Sequence, residues 1–557
     1  MNALALLFAM ATAATPNLVG LWAAHQGTDP ALGGSLEITR DGNTWRADID
    51  GRSAPVTVDG KRVSFALPND EGAFRGARDG ERIAGHWIQP PGIMTGRMAT
   101  PVTLTRASPT RWRGVVTPVE QHMTFYLSVT ANADGTFSAF LRNPERNVGR
   151  FFGVQRIALD GDRVKLFGKE DRVVAQGPFD VENDLMSINF PNAGATFDFH
   201  RATPADEAAF YPRGKNAPKY VYQKPRQRDD GWAVATLDEV GMSRDRIEAF
   251  VDKLNAVPID SIHASDVHAV LIARHGKLVL EEYFHGTNPD EPHDTRSAAK
   301  SLMSILVNVA KVPASTPVYE AMSYPTSDPR KKSMTLKHLL TMSSGLDCDD
   351  NDDNSPGRED TIAEQKEQPD WYLYTLALKN IREPGEKSVY CSCQANLAGG
   401  VVGRKSGQWL PDLFRERVAE PMQIRHYAMN LTPTGDAYMG GGVRFPTREF
   451  MKLAQLMLDG GRWHGRQIVS EAWAKESTSP HTTIGDRKYG YLWWLADYPY
   501  NGRTISAFFA AGNGGQIVMG VPELDLVIAF YGGNFNERAA LIPQNVYVPQ
   551  DILPAVK

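Results

Sequence analysis

Ser297, Ala298, Ala299 and Lys300 form a Ser-x-x-Lys element, and an apolar run starts directly behind it. On an α-helix, residues three apart share a face, so a helix opened by Ser297 returns the Lys300 amine to the level of the serine hydroxyl. Unpaired backbone N–H groups at a helix start suit a developing negative charge. Among Leu302, Met303, Ile305 and Leu306 an amine loses hydration, which favours its neutral, proton-accepting form. The element thus offers a serine nucleophile and an activating base within one turn. Taken alone, the same four residues equally describe an N-cap followed by a surface lysine, so the rest of the chain must decide.

The elements that would position this turn lie on both sides of it. SRDRIEAFVDKLNAV reads as a helix capped by Ser243, with Ile247, Phe250, Val251 and Leu254 in one stripe. HAVLIARHGKLVLEEYFHG reads as two strands turning at His275-Gly276-Lys277. Behind the serine helix, TLKHLLTMSSGL is a second amphipathic helix ending at Gly345. The acidic stretch DCDDNDDNSPGRED lacks EF-hand spacing and reads as a solvated loop.

Upstream, residues 17–203 are short alternating segments separated by turn signals. Asp41-Gly42, Asp59-Gly60, Asp79-Gly80, Asp134-Gly135 and Asp160-Gly161 each stand between period-2 runs, a strong hairpin signal. VTLTRAS near Thr105 and FDFHRAT near Phe199 read as equivalent closing strands, so this all-β accessory domain suggests two related antiparallel halves, a sandwich or a lipocalin-like barrel. It shows no acid pair, metal cluster or nucleophile motif. Residues 204–232 mix prolines, charges and tyrosines without a period and read as a linker or surface strap, with Tyr220 and Tyr222 as candidates to reach a cleft or to pack on the surface. Residues 233–557 form the second domain.

Composition narrows the class. At 557 residues, with 42% hydrophobic and 22% charged residues, the chain is globular and multidomain. A net charge of -5 and the lack of a basic-aromatic stripe exclude a nucleic-acid partner. Residues 1–14 are apolar with small residues at the end, a signal-peptide pattern without a basic n-region, which points to a periplasmic or secreted protein. No stretch is long and apolar enough for an integral membrane helix. Three cysteines allow one long-range disulfide, Cys348 with Cys391 or with Cys393, inert thiols being the alternative; they do not complete a zinc set.

Two further segments make the Ser-x-x-Lys element specific. EPGEKSVYCSCQANLAGG carries a Pro384-Gly385 turn, a short strand ending at Tyr390, then Cys391, Ser392 and a helix. FFAAGNGGQIVMGVPELDLVIAFYGG is two strands joined through Pro522 and opened by Gly512-Asn513-Gly514-Gly515-Gln516. In this order, with LIARHGKLVLEEY and LLTMSSGL, they resemble the serine β-lactamase and penicillin-binding-protein superfamily over roughly 231–533. The nearest branch is the class C β-lactamase-related hydrolases, which include esterases, D-aminopeptidases and 6-aminohexanoate-oligomer hydrolases.

That resemblance implies an α/β domain, an antiparallel sheet flanked by helices plus a helical region, behind the N-terminal all-β part. It implies Ser297 as the acyl-accepting nucleophile, Lys300 as its base partner and Tyr390 as the phenol that shuttles protons with the lysine. The N–H groups of Ser297 and Gln516 would form the oxyanion hole. Ser392 falls where many relatives carry Asn, and Asn513, Gly514 and Gly515 align with the Lys-Thr-Gly or His-Gly-Gly strand against which substrate lies. Neither metal nor organic cofactor is implied. The partner is a small ester, amide or short peptide. Two departures from the pattern stand out. Asn513 occupies the place where a β-lactamase sets a cation against a carboxylate, which favours neutral esters or amides over penicillins. The segment SILVNVAKVPASTPVYEAM is shorter than the resemblance implies, close to the nucleophile's helix, which makes an impaired penicillin-binding-like sensor one alternative to an active esterase or amidase; a β-lactamase or D-peptidase is the other.

Overall fold

The computed structural model describes residues 17–27, 32–92, 96–120, 122–146, 149, 152–261, 263–365 and 367–557; the signal-like residues 1–14 lie outside them. Its contacts divide the chain into two units, one formed by residues to Gln26 with Met123–Phe210, the other by Gly27–His122 with Tyr211–Lys557.

The first unit is a closed antiparallel barrel of eight strands: Gly20–Gly27, His122–Ala131, Phe137–Arg142, Arg156–Asp160, Arg163–Phe167, Val173–Asp180, Leu185–Phe190 and Ala195–Arg201. The Asp-Gly pairs turn its hairpins because each demands a left-handed backbone, supplied by Gly135 at φ 84° and Gly161 at φ 64°. Closure comes from Trp22 pairing with Arg201 and Ala23 with His200. Alternation then sends Phe125, Phe179, Phe190, Phe197 and Phe199 into one apolar interior.

In the second unit, residues 34–116 build an open sheet instead. Met98–Ser108 runs inside it, between Arg82–Ile88 and Arg111–Val116, rather than closing a barrel. This sheet continues into the downstream chain: Ala99 pairs with Met429, the Ala428–Asn430 strand pairs with Val443–Phe445, and that strand pairs with His293–Asp294. His293–Asp294 leads straight into the Ser297 turn. His86, fully buried on the sheet, bonds Tyr427 Oη at 2.8 Å and Asp412 Oδ1 at 3.1 Å and fixes the junction.

Residues 233–557 form the α/β layer structure. A nine-stranded sheet runs in the order Ala233–Val234, Lys277–Tyr283, Val267–Arg274, Leu526–Gly532, Gln516–Val521, Arg503–Gly512, Trp494–Tyr500, Arg487–Tyr489, Thr482–Ile484. Its central strands Gln516–Val521 and Leu526–Gly532 are buried along their whole length, since helices cover both faces. On one face lies Arg244–Asn255, capped by Ser243, with Ile247, Phe250, Val251 and Leu254 turned inward. On the other lie Lys300–Val309, Ser392–Ser406 and Thr447–Leu458 in one continuous core. Residues 211–232 run as an extended strap pinned to the sheet edge. Tyr220 Oη donates to Glu282, Tyr222 Oη donates to the Val279 carbonyl at 2.9 Å, and Arg448 grips Asp230 at 2.8 Å, so both tyrosines pack rather than reach a cleft. No helix among the described residues is long and apolar enough to cross a membrane.

Candidate active site

Ser297 sits in a 3₁₀ turn, Arg296–Ala299, and the α-helix begins at Lys300. The turn is held from behind: Thr295 donates its N–H at 3.1 Å and its hydroxyl at 2.6 Å to the Val443 carbonyl. It is closed from the front by Gly512, where a Cβ would stand 2.2 Å from the Thr295 carbonyl oxygen. Only a glycine lets the Arg503–Gly512 strand come that near.

Lys300 is buried, with 1% of its surface exposed, and its Nζ lies 2.8 Å from Ser297 Oγ. The same amine donates to the carbonyl of Gly440, in the loop between Ala428–Asn430 and Val443–Phe445. It also lies 5.0 Å from the centre of the Tyr390 ring, which stacks on Trp494 at 5.6 Å. Ser297, Lys300 and Tyr390 therefore meet around one amine, with the tyrosine presenting its ring to the lysine. The connection after the helix is closed: Val312 donates to the Val307 carbonyl at 3.1 Å, and Val312 and Val318 are buried.

The remaining predicted residues are engaged differently. Ser392 gives both its N–H (2.7 Å) and its hydroxyl (2.6 Å) to Asp350 Oδ2 rather than to the lysine. Asn513 exchanges hydrogen bonds with Asn536 through its side-chain amide. Gln516, fully buried, uses its side chain to tie down Gly532 and the Asn513 carbonyl, while its backbone pairs with Gly512 where the hairpin closes. Gly514 and Gly515 adopt φ near 100°, a conformation that favours glycine, and a Cβ on Gly514 would strike the Phe535 ring at 2.9 Å.

Four contributors have no role assigned from the sequence, although one of them, Gly512, heads the Gly512–Gln516 motif. Asp350 and Glu359 come from the acidic loop, which folds partly inward. Glu359 accepts from Tyr438 Oη at 2.6 Å, and its N–H donates to Asp350 at 3.1 Å. Burial pushes the Asp350 carboxyl above its usual range, against the pull of the Lys300 charge and the Ser392 hydrogen bonds. Burial, reinforced by Glu359, raises Tyr438 well above an ordinary phenol. Gly440 and Gly512 complete the set, and only their tertiary contacts mark them. Cys348 and Cys391 form a disulfide with Cα atoms 5.9 Å apart, anchoring the chain just after Tyr390 to the start of the acidic loop. Cys393 stays a buried thiol, raised by desolvation, with its sulfur 3.1 Å from that of Cys391.

A serine hydroxyl, a buried amine and a tyrosine ring thus share one place at the start of a helix against the sheet. The Beta-lactamase family model matches residues 259–539, more than half of the chain, and the chain belongs to that family. Over 303 residues it is 23% identical to the 6-aminohexanoate-dimer hydrolase of Paenarthrobacter ureafaciens, spanning 51% of this chain and 74% of that protein. Among solved structures, a penicillin-binding protein homologue from Caulobacter crescentus is similar at 15% identity and TM-score 0.42, covering 53% of this chain and 93% of that one. A family VIII carboxylesterase is similar at 17% identity and TM-score 0.42, covering 56% of this chain and 94% of that one.

Proposed function

We propose that the chain is a serine hydrolase that cleaves ester or amide bonds of small molecules or short peptides through an acyl-serine intermediate. The observation that carries this reading is the 2.8 Å contact between the buried Lys300 amine and Ser297 Oγ, with the Tyr390 ring on the same amine. In the first step Lys300, coupled to Tyr390, takes the Ser297 proton and the oxygen attacks the substrate carbonyl. The oxyanion is held by the Ser297 N–H and a donor from the 513–516 turn, Gln516 being the residue aligned with that role. Removing one such donor costs about 2.7–4 kcal/mol of transition-state stabilisation. The leaving group departs with the proton returned through the same pair. Water then enters, gives up its proton along that route and releases the acid, restoring Ser297.

Catalysis belongs to residues 233–557, with the all-β part as accessory. Ester or amide turnover is favoured over β-lactam turnover because Asn513, tied to Asn536, supplies no cation at that position. The test is pre-steady-state hydrolysis of 4-nitrophenyl acetate. A burst of nitrophenolate approaching one equivalent, absent in Ser297→Ala, is expected. Turnover retained in Ser297→Ala would refute the reading, and rapid nitrocefin hydrolysis without esterase activity would shift it to a β-lactamase.

A further inference from the structure

Arg296 directly precedes the proposed nucleophile, and its guanidinium is held differently from those of three arginines clamped by carboxylates. Arg448 is clamped between Asp230 and Glu281, Arg415 between Glu416 and Glu420, and Arg213 is bound to Glu282. The Arg296 guanidinium makes no hydrogen bond among the described residues. Its nearest carboxylate oxygen, on Asp294, is 3.9 Å from Nη1, and 39% of its side chain is exposed. Asp294 instead accepts the backbone N–H of Arg296 at 2.9 Å.

The backbone is built to hold this residue in place. Arg296 has φ 49°, a left-handed conformation that costs a non-glycine residue about 1–3 kcal/mol and persists only where neighbours enforce it. Glycines line the space around it: a Cβ at Gly512 would stand 3.2 Å from Arg296 Cβ, and one at Gly441 3.6 Å from its carbonyl carbon. The guanidinium carbon lies 5.6 Å from the centre of the Phe535 ring, the ring that packs on Gly514. A cation with donors to spare thus stands beside the turn whose Asn513 carries none. Two further carboxylates act on this charge, and both are engaged: Glu359 accepts a hydrogen bond from Tyr438 and Asp360 one from Arg358.

We infer that Arg296 binds a carboxylate on the substrate, so that the preferred substrates are esters or amides bearing a free acid group near the scissile carbonyl. A guanidinium presents a planar fork of donors that matches a carboxylate, and this one is 39% exposed beside the Ser297 turn. This rests on the acyl-serine reading above and replaces its neutral-substrate expectation with an anionic one.

The experiment compares kcat/KM within two matched pairs: mono-4-nitrophenyl succinate against 4-nitrophenyl butyrate, and 4-acetoxybenzoate against its methyl ester. For the native chain, the anionic member of at least one pair is expected to win by about tenfold or more, the scale of one charge-assisted hydrogen-bonded contact. That ratio is expected to collapse toward one in Arg296→Gln, and to survive in part in Arg296→Lys, which keeps the charge. Neutral members preferred in both pairs by the native chain, or an anionic preference undiminished in Arg296→Gln, would overturn the assignment while leaving the serine mechanism standing. Failure of the native chain to hydrolyse any of the four compounds would remove both. Where Arg296→Gln does not fold, Arg296→Met supplies the comparison, and a native ratio at or below one in both pairs overturns the assignment by itself.

Discussion

Replacing Lys300 with methionine separates what this residue does for the reaction from what it does for the fold. The amine holds two hydrogen bonds, to Ser297 Oγ and to the Gly440 carbonyl, at a position only 1% exposed. Methionine matches its length and drops its charge. Loss of a positioned general base lowers the rate by about 10²–10⁴-fold, or about 3–5 kcal/mol of barrier. Folding stability responds to two opposed terms. An unpaired Gly440 carbonyl costs about 1–3 kcal/mol, while removing a buried charge returns a similar amount, as when buried ions are replaced by apolar residues. The net change in stability is therefore under about 2 kcal/mol in either direction. Asp350 loses its neighbouring cation, so its carboxyl, already raised by burial, rises further. The assay is kcat/KM for 4-nitrophenyl acetate beside a urea melt of the same preparation. Activity within tenfold of the native chain, or a loss of activity explained by unfolding, would overturn the role given to this amine.

Gly512→Ala forces a methyl to within 2.2 Å of the Thr295 carbonyl, so the strand must retreat from the nucleophile turn. A shift of about 1 Å there lowers kcat/KM about 100-fold, checked on a variant whose circular dichroism spectrum is unchanged. Serine in place of both Cys348 and Cys391 opens a loop with a sequence separation of 43, which costs about 4 kcal/mol on the loop-entropy scale and is read as a lowered urea midpoint. His293 is half-buried, stacked on Tyr531 and bonded to His268 at 2.9 Å, and loss of hydration depresses it to about 3. The unfolded chain protonates at the ordinary histidine value near about 6.5 while the folded chain does not, so stability is complete above that pH. It falls by about 1.4 kcal/mol per pH unit as the pH drops toward the folded value. His293→Phe, which keeps the stacking, flattens that slope in urea melts at pH 4, 5, 6 and 7; an unchanged slope counts against it.

What could be read in advance follows from how local each signal is. Ser297 and Lys300 share one turn, so residue type and short spacing carried them, whereas Tyr390 was reached only through the resemblance to a family. The Asp-Gly hairpins of the β region are equally local. Which strands close on which is not: Trp22 finds Arg201, and Ala99 finds Met429, through long-range pairing that no short pattern encodes. The same holds around the amine. Gly440 receives Lys300 only because a distant loop is carried there by the Val443–Phe445 strand, and Gly512 matters only through the backbone it approaches. Asp350 sits in a run of carboxylates that looks uniformly solvated, and nothing in the run distinguishes the one that takes the Ser392 hydroxyl. Ser392 and Asn513 were placed by alignment to a pattern, and their side chains spend their hydrogen bonds on Asp350 and Asn536.

The acyl-serine mechanism is tested most directly by peptide mass mapping after acid quench during turnover of 4-nitrophenyl acetate. An added acetyl group is expected on the peptide containing Ser297, appearing and decaying at the rate of turnover. Turnover with that peptide unmodified, or the acetyl group on another residue, would contradict the mechanism.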